Sequence, residues 1–328
     1  MNKVWSVAFL LSCLVLNLKA YYQQEVKYDI KVFLDDQEHT LHAFEEVIYI
    51  NNSPDTLNEI YMHLWPNAYQ ANTALDKQLV EDRNMLLYFG DQAYKGFIDS
   101  LDFKVDGKKV ISLESEHKDL TNFKLNAVLL PGDSIVITTP FRVKIPYGEV
   151  SRLGHLDGSY QITQWYPKPA VYDGEWHAMP YLTQGEFFSE FGSFKVAVSV
   201  PEKHVIAATG NLISKSNHNG IKTEVYSLDK IHDFAWFTAR GMKVSNKTFT
   251  LGSHNVTAWS FIDQTKSSAR GSEVVNNIIE GLEYYSKRVG NYPYKHCSAV
   301  IGPLEGAGGM EYPMITICES DDAGTIVH

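Results

Sequence analysis

Gly306-Ala-Gly-Gly-Met-Glu-Tyr-Pro-Met-Ile-Thr-Ile-Cys318 opens with three glycines in four positions and closes on an apolar, β-branched run. Glycine lets backbone approach backbone without a Cβ in between, and the run after Pro313 reads as a strand. The combination predicts a sheet edge along which an extended chain can lie. Glu311, between the glycines and the strand, is then a carboxylate at the end of a groove, placed to pair with an ammonium group. The same residues also fit a glycine turn entering an ordinary strand, with a solvated Glu311.

Upstream, from residue 27 to about residue 249, the pattern is strand, turn, strand. Residues 27–34 and Thr40–Ile50 alternate apolar and polar side chains, as half-buried strands do. Asp106-Gly107 and Asn219-Gly220 are hairpin signals, and Leu130-Pro-Gly-Asp-Ser134 is a turn feeding a strand over 135–145. These features predict a large, mainly β, antiparallel domain over 21–249. Residues 71–96 lack alternation and read as a loop with a short helix.

After Asn255 the period changes. Residues 272–290 place Val274, Val275, Ile278, Ile279, Leu282, Tyr285 and Val289 on one helical face, with Gly290 as the stop and a strand at 297–301. Residues 250–328 hold too little else to enclose that stripe, so they read as the incomplete start of a second domain.

With 328 residues, 44% hydrophobic and 21% charged, the chain is globular. A net charge of −10 without any basic block argues against a nucleic-acid partner. Residues 1–20, with Lys3, an apolar stretch and Ala20 before a polar start, fit a secretory signal, so the mature chain is expected in the periplasm or outside the cell. An uncleaved anchor is the alternative. No other segment approaches the length of a transmembrane helix. Cys297 and Cys318 are too few for a disulfide framework and lack zinc-knuckle spacing. One bridge between them is open, with two unpaired buried thiols as the expectation.

Gly308-Gly-Met-Glu-Tyr312 resembles the G-x-M-E-N motif of the M1 family of zinc aminopeptidases, the gluzincins that include aminopeptidase N and leukotriene A4 hydrolase. Tyr312 stands where the family has Asn. Thr325-Ile-Val-His328 resembles the lead-in to the family's H-E-x-x-H helix. Leu130-Pro-Gly-Asp, Ala208-Thr-Gly-Asn-Leu212 and Asp233-Phe-Ala-Trp-Phe237 look like features of its saddle-shaped β domain, so the resemblance spans nearly all of the mature chain. Ile162-Thr-Gln-Trp-Tyr-Pro-Lys168 occupies the place of the T-Q-x-[E/Q] segment, with Gln164 matching the family Gln. The acid or amide that follows it falls on Tyr166, a departure that bears on how tightly amino termini are gripped. Interdomain core is an equal reading of Trp165 and Tyr166.

The resemblance implies a β saddle at 21–249 followed by the start of an α/β, thermolysin-like catalytic domain at 250–328. It implies an exported metallopeptidase, cleaving peptides from the amino terminus with one zinc ion in the complete protein. Gln164, Gly308, Gly309, Met310 and Glu311 would bind substrate, and His328 would be the first metal ligand. A non-catalytic peptide-binding or interaction protein on the same scaffold is the alternative.

Zinc hydrolysis on this plan needs two His one turn apart on a helix, an acidic ligand and a Glu base. The twelve His include no i, i+4 pair. His39 and His42 are expected on opposite faces of a strand, and His155, His177 and His232 as isolated surface or hydrogen-bonded residues. No catalytic residue is assigned within the chain, and residues 21–328 alone are expected to hold no stoichiometric zinc.

Overall fold

The computed structural model describes residues 22–148, 150–183, 187–264, 267–302 and 308–327. The expected secretory segment 1–20, Gly306 and His328 lie outside the described residues.

A nine-stranded sheet carries the first part of the chain. In its strand Glu25–Asp35, Val26, Tyr28, Ile30, Val32 and Leu34 are buried while Lys27 and Lys31 face water, the period-two pattern of a sheet covered on one side. This strand pairs antiparallel with Thr40–Ile50 and, on its other side, parallel with Gly192–Pro201. The parallel pair departs from the expected antiparallel pattern. Parallel neighbours need a long crossover, and the residues between 50 and 192 supply one. At the two predicted hairpins Asp106, Gly107, Asn219 and Gly220 all have positive φ (50°, 75°, 50° and 77°), as a type I′ turn requires. Within 71–96, the Thr73 hydroxyl accepts from the Asp76 N–H at 3.2 Å and starts the helix Ala74–Glu81.

A four-stranded sheet of Gly154–Leu156, Ser159–Ile162, Trp236–Arg240 and His204–Ala208 is buried on both faces. Alternation sends Tyr160, Ile162 and Trp236 into the main core. Ala207, Phe237 and Ala239 enter a second core with Val300, Tyr312, Ile315 and Ile317. This sheet is therefore the join between the β framework and the C-terminal part of the chain.

That C-terminal part is built on a five-stranded sheet in the order Lys243–Leu251, His254–Ile262, His296–Ile301, Ile315–Cys318, Gly309–Tyr312. The boundary expected at 249/250 falls inside its first strand. His254–Ile262 and His296–Ile301 run parallel, connected through the helix Gly271–Ser286, which lays Val274, Val275, Ile278 and Ile279 on Ala258, Ile262, Ala299 and Ile301. The helix stops at Ser286, short of the expected Gly290, because the N–H groups of Arg288 and Val289 close onto the Tyr285 carbonyl. Val289 is 83% exposed and Tyr285 is 44% exposed, so the expected apolar stripe ends a turn early.

Candidate functional site

The run Ile315–Cys318 forms the predicted strand, and Gly309–Tyr312 is itself a strand, paired antiparallel with it through a turn at Pro313-Met314. Met314 takes φ 67°, a conformation unusual for a side-chain-bearing residue, between the buried Pro313 and Ile315. Gly309–Tyr312 ends the sheet order, so among the described residues no strand pairs with its outer backbone groups, which can take an added strand.

Each glycine here has a reason. Gly308 has φ 68°, where a Cβ is disfavoured, and its carbonyl accepts from the Glu319 N–H at 2.9 Å. At Gly309 a Cβ would meet Thr325 Cγ2 at 3.2 Å. The short helix Ala323–Val327 crosses the edge strand at that point. The residues leading to His328 are thereby brought beside Glu311 in the fold, while His328 itself lies outside the described residues.

Met310, Glu311 and Tyr312 line a cleft with Gln164, Phe187, Ser189, His232 and Asp233. The cleft holds about 20 Å³, room for one water-sized group, so a peptide main chain would run outside it along the edge strand. The structure thus gathers Gln164, Met310 and Glu311 at one place. Glu311 is exposed, and its carboxylate makes no hydrogen bond or ion pair with any described residue. Met310 packs against the second core, and Tyr312 is buried 6.1 Å from Phe237. Burial raises the Tyr312 hydroxyl's pKa. A larger apolar groove of about 260 Å³ adjoins, lined by Ile278, Leu282, Tyr285, Tyr312, Ile326 and Val327, with Glu311 on its rim.

Gln164 is buried and its backbone is in the left-handed region, φ 52°. Its Nε2 donates to Asp233 Oδ2 at 2.5 Å, and its Oε1 accepts from Lys168 Nζ at 2.9 Å. The side chain is held at both ends, which leaves Nε2 one N–H to offer to the cleft. Asp233 Oδ1 also accepts from Lys168 Nζ at 3.0 Å, the Tyr166 hydroxyl at 2.9 Å and the Phe234 N–H at 2.9 Å. Lys168 Nζ lies 5.0 Å from the Trp65 ring centroid and 4.7 Å from that of Tyr166. Burial pushes the Lys168 ammonium down against the pull of Asp233, and it drives His63, with help from Lys168, down to about 3. Glu45, fully buried with neither oxygen bonded, has its pKa raised well above the carboxylate range by desolvation.

Sequence reading missed the Lys168–Asp233 pair, although both residues stand in stretches it singled out. The available signal was a charge set among aromatics in each, Trp-Tyr-Pro-Lys168 and Asp233-Phe-Ala-Trp. Trp165 and Tyr166 are core: the Trp165 Nε1–H donates to the Phe234 carbonyl at 3.0 Å, and the Tyr166 hydroxyl is consumed by Asp233. The expectation that His155 is isolated is corrected, since its ring stacks on His39 at 3.7 Å. His39 sits in a turn with φ 51° and not in a strand, and its Nδ1 is 2.8 Å from the Tyr160 hydroxyl.

Among the described residues no three His, Cys, Asp or Glu side chains converge as a metal site. Those residues do not by themselves fit a zinc ion. Cys297 and Cys318 are free thiols: Cys318 stands opposite Ile301 across adjacent strands, four residues along from Cys297. Burial pushes Cys297 up to about 11 and raises Cys318 as well. No described helix is long and apolar enough to cross a membrane.

The sequence matches no protein-family model and no curated protein. Solved structures do match. An M1 zinc metallopeptidase from Deinococcus radiodurans superposes with a TM-score of 0.61 at 14% identity, over 94% of this chain and 63% of its own. A point mutant of a two-domain M1 zinc metallopeptidase bound to L-tryptophan gives 0.62 at 13% identity, over 94% and 65%. A point mutant of the D. radiodurans enzyme bound to the substrate Tyr-Ser-Ala gives 0.57 at 14% identity, over 90% and 59%. The chain has the fold of the M1 zinc metallopeptidases over nearly all of its length, with the β domain that opens them. It spans less than two thirds of the length of these structures.

Proposed function

We propose that this chain forms the substrate-gripping portion of an exported, zinc-dependent hydrolase of the M1 kind, which removes residues from the amino terminus of peptides. The observation that carries the reading is Glu311: an exposed carboxylate, unpaired among the described residues, on an open edge strand at the mouth of a cleft. The edge receives the peptide backbone as an added strand, and Glu311 takes the terminal ammonium. Gly308 keeps the approach clear, Gly309 lets the helix Ala323–Val327 sit against the edge strand beside the bound chain, and Met310 and Gln164 form the cleft's inner side. That some of the structural neighbours were solved with a single amino acid or a tripeptide bound fits such a grip. One zinc ion in the complete enzyme would have His328 among its ligands and would supply an activated water. The division that goes with it is a β saddle followed by the start of the catalytic domain, with the join at the strand Lys243–Leu251, a few residues before the 249/250 boundary expected from the sequence.

The test is the ratio of hydrolysis of free-amino to amino-blocked peptides by the complete enzyme. A charge-assisted bond of about 1.5–3 kcal/mol is made in both ground and transition states, so Glu311→Gln is expected to lose the preference mainly through KM. An unchanged ratio in that variant would overturn the assignment. Residues 21–328 purified alone are expected to retain no stoichiometric zinc after dialysis. One tightly held zinc per chain, with turnover abolished by a chelator, would place the ligands elsewhere.

A further inference from the structure

Arg152 lies beside this cleft with no anionic partner among the described residues. Its guanidinium carbon sits 5.1 Å from the centroid of Phe187, a ring that lines the cleft with Glu311. Its backbone is tied to the segment that carries Gln164, since the Thr163 hydroxyl donates to the Arg152 carbonyl at 2.9 Å. Nη1 is shut off from solvent and has no hydrogen-bond partner. Among the described residues the polar neighbours of the group are three hydroxyls, that of Tyr181 as a hydrogen-bond partner and those of Tyr312 and Tyr69 farther off. Tyrosine hydroxyls are neutral at pH 7, and a guanidinium does not shed its proton. A permanently charged fork is thus held in a poorly solvated place with a donor to spare, in a chain rich in acids.

Resting on the reading of this cleft as the peptide site, we infer that Arg152 is a second charge anchor, which binds a carboxylate of the substrate. Glu311 and Arg152 then take opposite charges of one short peptide. The carboxylate has two sources, the α-carboxylate of a tripeptide or the side chain of an acidic residue near the amino terminus, and a bidentate guanidinium contact suits either.

Calorimetric titration of the chain separates them. The α-carboxylate arm compares Ala-Ala-Ala with its C-terminal amide. The side-chain arm compares Glu-Ala-Ala-amide with Gln-Ala-Ala-amide. In one arm the carboxylate form should bind about tenfold tighter. Arg152→Gln should erase that preference and leave the affinity for the uncharged partner unchanged. Arg152→Lys, which keeps the charge and loses the fork, should keep part of it and guards against a misfolded Gln variant. Equal binding of both members in both arms overturns the proposal, as does a preference that survives Arg152→Gln. A lowered Tm in Arg152→Gln with the preference intact would make Arg152 a stacking partner of Phe187 and no more. Absence of binding by all four peptides would instead sink the reading of the cleft itself, and this inference with it.

Discussion

Asp233 and Glu311 line the same cleft and live in opposite worlds. Asp233 is buried at the join between sheets, with Lys168, Gln164, Tyr166 and the Phe234 N–H on its two oxygens. Glu311 stands exposed on the edge strand without a described partner. A carboxylate whose lone pairs are filled from inside holds the framework in place. One whose lone pairs face water is free to recognise something else. The join is thus where charge has a structural use, and the edge is where it has a chemical one.

The hardest way to break this contrast is to empty the join. Asp233→Ala leaves a buried ammonium unpaired and is expected to destabilise the chain by about 3–5 kcal/mol in denaturant unfolding. Adding Lys168→Met should recover most of the loss, because two well-packed neutral residues avoid both desolvation costs. A double variant as unstable as the single one would mean that the pair acts by shape and not by charge.

The second test uses acid. Burial, with His39 and Lys144 close by, holds His155 down at about 4. An unfolded imidazole titrates near 6.5, so between about 6.5 and 4 the unfolded chain binds a proton that the folded chain does not. Stability should therefore fall as pH drops through that window and level off below it, by about 2–3 kcal/mol for this residue. Unfolding curves at pH 7 and 4.5 should differ less in His155→Phe than in the wild type. Equal differences would remove His155 from the account.

The smallest effect sharpens the other side. Glu311→Gln should change unfolding free energy by less than about 0.5 kcal/mol, since nothing described leans on that carboxylate. A loss above about 1 kcal/mol would show that Glu311 holds structure and would narrow the contrast with Asp233.

The same distinction governs how much of the molecule can be read from its sequence. Strands such as Glu25–Asp35 were legible because one face is buried and one is wet, and the Asn-Gly and Asp-Gly turns because their backbone demands a residue type. The Glu311 edge was legible through its glycines. The Lys168–Asp233 pair was not, because an interior charge leaves no periodic trace and its partner lies 65 residues away. The Met314 turn was hidden for a related reason: its left-handed backbone is imposed by buried neighbours and not by glycine. Helix Gly271–Ser286 was read a turn too long because periodicity reports which residues could share a face, not where the sheet beneath it ends.

The parallel pairing of Glu25–Asp35 with Gly192–Pro201 bears on how the molecule comes into being. The strand near the start of the chain can close a hairpin with Thr40–Ile50 at once, but its other flank waits for residues more than 150 positions later. At ordinary rates of synthesis that interval is on the order of ten seconds or more. For that time an apolar strand stands half paired, a template for any neighbouring chain. Contacts so distant in sequence make for slow folding. Refolding yield at high protein concentration should therefore be limited by this one seam, and a chaperone that shelters extended segments is the kind of helper its assembly calls for.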